Sequence, residues 1–213
     1  MIKILLVALL IINIPVLNEV KAADELVPEL LIIGNISREN FSEVDTNLRY
    51  VINKEVDIDV TSFSSIGFCS KKGMTSSGLK RLVKYGNKEC PNIYKGIKNA
   101  KVITLSTSGT EFTQLNNSVS IQNLYQKADL IKERYIVNIN EIIVNIRKLN
   151  KDAIILIPKI TMPFNVSNKY NFIVSGYIKS WNKSLERISE SEKTIVLYEN
   201  QTLKKFNLKQ KLE

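Results

Sequence analysis

The chain has 213 residues, 44% of them hydrophobic and 24% charged, enough for one domain with a real core and too apolar for wholesale disorder. Thirty Lys and Arg against 21 Asp and Glu give a formal net charge of +9, which favours anionic partners such as polymers or lipid head groups. There is no histidine and there are only two cysteines, so a histidine base and a His/Cys zinc centre are both excluded.

The first predicted element is an export signal. Met1-Ile2-Lys3 is a short positive start, Ile4 to Ile12 is unbroken apolar, Asn13 and Pro15 interrupt it, and Val20-Lys21-Ala22 places small residues around a cut after Ala22. The run is short for a membrane span, which takes roughly 20 apolar residues. Residues 1–22 are therefore read as a signal peptide, with an N-terminal membrane anchor as the alternative. The expected organisation is a secreted or surface-associated domain over residues 23–200 and a basic tail over 201–213.

Leu30–Ile33 is a continuous apolar run, as expected for a strand buried on both faces, and it stops at Gly34. Residues 39–54 have a weak helical period. Val56-Asp57-Ile58-Asp59-Val60 alternates strictly and predicts a half-buried edge strand, with loop over 65–73. Short helices are expected over Thr75–Tyr85 and Asn92–Asn99, divided by Gly86 and Pro91. Val102–Leu105 predicts a strand, and residues 107–118 a polar loop. Ile121–Asn150 reads mostly as helix, with Ile136, Ile139, Ile143, Ile146 and Leu149 on one stripe. Ala153–Ile157 is the next strand. Tyr170–Glu190 is the next helix, with Val174, Tyr177, Trp181, Leu185 and Ile188 aligned, and Thr194–Leu197 is the last strand.

Strands separated by helices imply crossovers and a parallel sheet. The expected fold is a three-layer α/β/α sandwich with five parallel strands in the flavodoxin-like order 2-1-3-4-5. Its crevice lies at the carboxyl ends of strands 1 and 3, which brings Gly34–Ser37 beside Thr107–Glu111.

Two features stand outside this frame. Lys71 to Lys101 holds nine cations against Glu89 alone. Lys71, Lys72, Lys80, Arg81, Lys84 and Lys88 are the candidate anion-binding residues, and a Lys-rich composition throughout the chain is the plainer account of them. Cys69 and Cys90 flank much of this stretch. In an exported chain such a pair can bridge, closing a loop worth roughly 3 kcal/mol; the other reading is two free thiols. No glycine pattern for cradling phosphates occurs, no cofactor is implied, and Tyr85 and Tyr94 among the cations are too few for a nucleic-acid motif.

The order of segments resembles the SGNH/GDSL hydrolases, in particular their secreted bacterial lipase and esterase branch. "LLIIGNIS" (residues 30–37) sits where the family has its first strand and GDS. "VTSFSSIG" (60–67) and "GMTSSGLKRL" (73–82) sit at its second region. "NAKVITLSTSGTEF" (99–112) is similar to the strand leading into GGND. "INEIIVNIRKLNKDAIILI" (139–157) and "SWNKSLERI" (180–188) look like later helices and strands. The resemblance covers about residues 24–200, and no motif is intact. It implies the five-stranded sandwich and an esterase ancestry. It also implies a degenerate site: Ile36 at the nucleophile position, Asn35 before it, Gly67 or Gly73 at the oxyanion glycine, Thr110 at the oxyanion asparagine and Glu111 at the following Asp. The catalytic histidine has no counterpart, and the terminal DxxH segment and final helix are not seen, which implies a shortened member. The alternative is a rewired esterase in which Ser37 is activated by Glu111, with Gly73 beside them. Ser37 as a helix cap is the simpler account of that serine.

Overall fold

The computed structural model of the chain describes residues 29–35, 48–58, 66–71, 73–106, 111, 121–161 and 171–199; the side chains of 121–124 and 171–173 lie outside it. The predicted signal peptide and basic tail also fall outside the described residues.

Five parallel strands form one sheet in the order β2-β1-β3-β4-β5. They are β1 (Leu30–Gly34), β2 (Ile66–Ser70), β3 (Val102–Ser106), β4 (Ile154–Pro158) and β5 (Ile195–Tyr198). A helical segment, α1, covers residues 48–51 and continues as a π-helix over Ile52–Val56. The remaining helices are α2 (Ser76–Tyr85), α3 (Ile93–Asn99), α4 (Ile121–Leu149) and α5 (Asn171–Ser191).

The apolar runs are continuous because the central strands are buried on both faces. Leu31 and Ile33 of β1, Ile103 and Leu105 of β3, and Ile155 and Ile157 of β4 enter a large core with α2, α3, α4 and α5. Leu30, Ile32, Val102 and Leu156 point the other way and pack with Leu48 and Ile52 of α1. The two long helices are amphipathic as their spacing predicts. Ile139, Ile143 and Ile146 are buried on α4, and Val174, Trp181, Leu185 and Ile188 on α5. Leu149, placed on the α4 stripe by spacing, is 37% exposed because it lies in the last turn. Tyr135 and Trp181 join α4 to α5 edge to face, with ring centroids 5.2 Å apart.

Polar side chains fix the loops opposite the crevice. Asn150, just past α4, donates to the carbonyls of Ile97 (2.9 Å) and Ala100 (2.8 Å) and accepts from the Ala153 amide (2.9 Å), which ties the end of α3 to the start of β4. Arg147 forks to the Ala153 carbonyl and Thr194 Oγ1, both at 2.7 Å, and pairs with Glu192. That planar fork joins α4, β4 and β5 at one point.

One predicted strand is corrected. The start of the predicted second strand at Val56–Ile58 is not strand: Val56 ends the π-helix, and Asp57 takes the left-handed conformation (φ 54°, ψ 37°) that closes it, while Asp59 and Val60 lie outside the described residues. The alternation of Val56 and Ile58 is real, since both pack on the α1 face of the sheet, but from a helix end. β2 instead runs through Ile66–Ser70, predicted as loop, pairing with β1 from Leu30↔Ile66 to Gly34↔Ser70.

Candidate functional site

The crevice at the carboxyl ends of β1 and β3 is built around a close approach of backbones. Gly34 ends β1 opposite Ser106 of β3 at φ +126°, and a Cβ at this position would run into the Ser106 carbonyl. Only glycine fits both demands. The next amide, Asn35 N–H, donates to that same carbonyl, and Lys71 N–H donates to the Gly34 carbonyl at 2.9 Å. The turn after β1 is thereby fastened to β3 on one side and to the exit of β2 on the other.

Asn35 takes this further with its side chain. Its Oδ1 accepts the N–H of Gly73 at 2.7 Å. Gly73 has φ +78° and nothing within 4 Å of where a Cβ would be, so its surroundings are open while its amide is engaged. An oxyanion site needs a backbone donor aimed at the reacting oxygen. Here one candidate donor is satisfied from within the chain.

The two positions considered for the oxyanion glycine separate cleanly. Gly67 lies inside β2, paired with Leu31, three residues before the strand end. At about 3.3 Å per residue that leaves it roughly 10 Å short of the crevice. The assignment of Gly67 to the site is corrected accordingly, because the sheet register sets it within the strand, opposite Leu31. Gly73 lies past the end of β2, at the crevice. Ile36, Ser37 and Thr110 lie outside the described residues.

Glu111 is only 5% exposed and accepts the backbone N–H of Ser76, the first residue of α2, at 2.5 Å. A carboxylate at this place satisfies an orphan helix donor and faces the positive end of the helix dipole. Burial pushes its carboxyl above the usual range, while the hydrogen bonds from Ser76 hold part of that shift back. Behind it, Asn138 of α4 donates through Nδ2 to Ser76 Oγ and Ser77 Oγ, both at 3.0 Å. Glu111, Ser76 and Asn138 form a buried polar cluster, of which the sequence had offered only Glu111 as a candidate. Its other sequence signal is an asparagine at 138 on the buried side of an otherwise apolar helical stripe.

The basic stretch is spread over several surfaces. Lys80 pairs with Glu141 at 3.5 Å, Lys101 with Glu29 at 2.6 Å, and Lys84 lies over the Tyr85 ring. Lys71, Arg81 and Lys88 come together at a cleft of about 790 Å³ beside Gly73. Lys72 lies outside the described residues. Cys69 and Cys90 are joined in a disulfide, which ties the Asn87–Cys90 turn to the end of β2. Among the described residues no group of three or more His, Cys, Asp or Glu is placed to hold a metal, and no helix is long and apolar enough to cross a membrane.

No protein-family model and no curated protein matches the sequence. Solved structures do match the fold. A lipase, Lip_vut3, from a goat rumen metagenome superposes with a TM-score of 0.58 at 15% identity, over 79% of this chain and 78% of that one. Phospholipase A1 from Streptomyces albidoflavus gives 0.48 at 10% identity, over 78% and 76% of the two chains. A GDSL-like lipase from Bacteroides thetaiotaomicron gives 0.43 at 11% identity, over 80% and 67%. The chain shares the fold of the Lip_vut3 lipase, with its own five-stranded parallel sheet ordered 2-1-3-4-5 flanked by helices.

Proposed function

We propose that this is an exported SGNH/GDSL-like domain that has lost hydrolase chemistry and retains binding of an anionic cell-surface polymer or lipid. The observation that carries the loss of chemistry is the engaged crevice: Asn35 Oδ1 occupies the Gly73 amide that an oxyanion would use. The sequence supports it. The resemblance places Ile36 at the nucleophile and Thr110 at the oxyanion asparagine, and no histidine is available to activate a hydroxyl. Binding is supported by the cations clustered between Lys71 and Lys101. Export is supported by the apolar N-terminal run ending near Ala22.

The test is an assay of the purified protein on short-chain acyl esters. No turnover above a heat-inactivated control is the expected result, and turnover abolished by Ser37→Ala would overturn it. One observation favours the rival reading of an active, rewired esterase: Glu111 is a buried carboxyl with a raised pKa, as general bases often have. Against it, that carboxylate already receives the Ser76 amide. A rate depressed in Glu111→Gln alongside Ser37→Ala would establish the rival.

A further inference from the structure

The basic stretch looks uniform in sequence and is not uniform in space. Arg81 and Tyr85 stand one turn apart on α2, and both line the cleft, with Gly78 one turn before Arg81 leaving room above the helix. Lys71 enters from the end of β2. Lys88 enters from the turn after Gly86, which the Cys69–Cys90 bridge holds against the sheet. Met74 and Tyr85 give the cleft an apolar side, with Leu82 beneath it in the core.

Glu89 also lines this cleft, so its three cations face one carboxylate and the balance stays positive. Lys71 meets Glu89 at 3.5 Å, but both side chains are 65% exposed, and an exposed pair of this kind contributes little and exchanges readily. Arg81 and Lys88 have no carboxylate partner among the described residues. Lys80, by contrast, is paired with Glu141 and lies outside the cleft, while Lys95 and Lys98 sit on the exposed side of α3. The helix N-terminus beside the cleft adds no anion site of its own, because Glu111 already fills it from the core side.

Resting on the anion-binding reading above, we infer that the ligand is a phosphodiester group held in this cleft by Arg81, Lys88 and Lys71, with its carbon chain against Met74 and Tyr85. Several cations converging from three directions suit a group with oxygens on more than one side. Arginine matches such a group through two parallel hydrogen bonds. The apolar side fits the glycerol or acyl portion that joins successive phosphates or anchors a lipid. Gly73 lines this cleft and also donates its amide to Asn35 after β1, so the cleft adjoins the carboxyl end of β1.

The phosphodiester has two sources, a lipid head group and a soluble polyol-phosphate chain, and the experiment separates them. Binding of the purified protein is measured to phosphatidylglycerol-containing phosphatidylcholine vesicles by co-sedimentation, and to a soluble glycerol-phosphate polymer by titration. Four charge reversals of equal size are compared: Arg81→Glu, Lys88→Glu, Lys95→Glu and Lys98→Glu. All four positions are exposed, and circular dichroism confirms that each variant is folded. The expected result is a loss of about tenfold or more for the two cleft variants and less than about threefold for the two α3 variants. Displacement from vesicles by the soluble polymer assigns the phosphodiester itself; binding to vesicles alone assigns the lipid source. Equal losses in all four variants would overturn the cleft while leaving general anion binding standing. A wild-type protein that binds neither probe would remove the anion-binding reading and the cleft together.

Discussion

Glu111 shows how much a single buried carboxyl can settle. Its folded pKa lies above the ordinary value of 4.5, so between that value and the folded one the folded state holds the proton more tightly than the unfolded chain. Stability from this group is therefore greatest at acid pH, falls as the pH rises through the folded pKa, and is flat above it. Once ionised, the Glu111 carboxylate is a buried charge that accepts the Ser76 amide. Glu111→Gln keeps an acceptor for the Ser76 amide and removes that charge. Measured against wild type, it should be relatively more stable at pH 7 than at about pH 4, because the wild-type carboxyl loses its contribution as the pH rises through its raised pKa and the amide does not titrate. Glu111→Ala leaves the amide without its acceptor and should cost roughly 1–3 kcal/mol. Urea unfolding at the two pH values measures both. A Gln variant that loses ground to wild type between those two pH values would mean that the charge itself, set on the helix dipole, is the stabilising element. The residue was legible in sequence as a candidate through the expected strand order, which sets it at the crevice, and through the resemblance. Its partner Ser76 was not, because no local pattern connects two positions 35 residues apart.

At the scale of elements, apolar runs and helical stripes were legible and the edge strand was not. Leu30–Ile33 and Val102–Leu105 announce themselves because strands buried on both faces need an apolar side chain at every position. Ile66-Gly67-Phe68-Cys69-Ser70 has no such demand. It lies at the sheet edge, mostly half-buried, and tolerates a glycine and a serine that read as loop. What keeps it in place is long-range: the ladder to β1 and the bridge from Cys69 to Cys90. The bridge spans 21 residues and encloses α2 together with the turn that follows it. Loop closure of this size is worth roughly 3 kcal/mol in the chain-entropy model. Reduction of the wild-type protein should lower its unfolding free energy by about that amount, and Cys90→Ala should show the lower value whether or not a thiol reductant is present. Matched urea titrations with and without reductant decide it. A variant that still responds to reductant would place the effect somewhere other than this bridge. The same comparison explains why the Val56–Val60 alternation misled. Period two in a short segment reports one buried side, and a helix end whose Val56 and Ile58 face the sheet satisfies that as well as a strand does.

For the whole molecule the leading quantity is charge. A formal net charge of +9 should attract polyanions and, by self-repulsion, slightly disfavour the compact state. Salt screens both effects and so moves them in opposite directions. The fold depends little on ion pairs that salt would weaken. Lys71–Glu89, Lys80–Glu141 and Lys159–Glu186 are surface contacts of small worth, whereas Arg147 is largely shielded and anchored by hydrogen bonds to Ala153 and Thr194. Raising salt from roughly 20 mM to roughly 500 mM should therefore weaken polyanion binding by tenfold or more, while the thermal midpoint holds or rises slightly. Measuring both on one preparation separates the causes. If the midpoint falls with the affinity, lost binding reflects a loosened fold, and the electrostatic account of the partner fails. If the midpoint holds while affinity drops, the charge that recruits the ligand is distinct from the contacts that maintain the sheet. That separation is what the proposed binding role requires: a core indifferent to the ionic surroundings beneath a surface that responds to them.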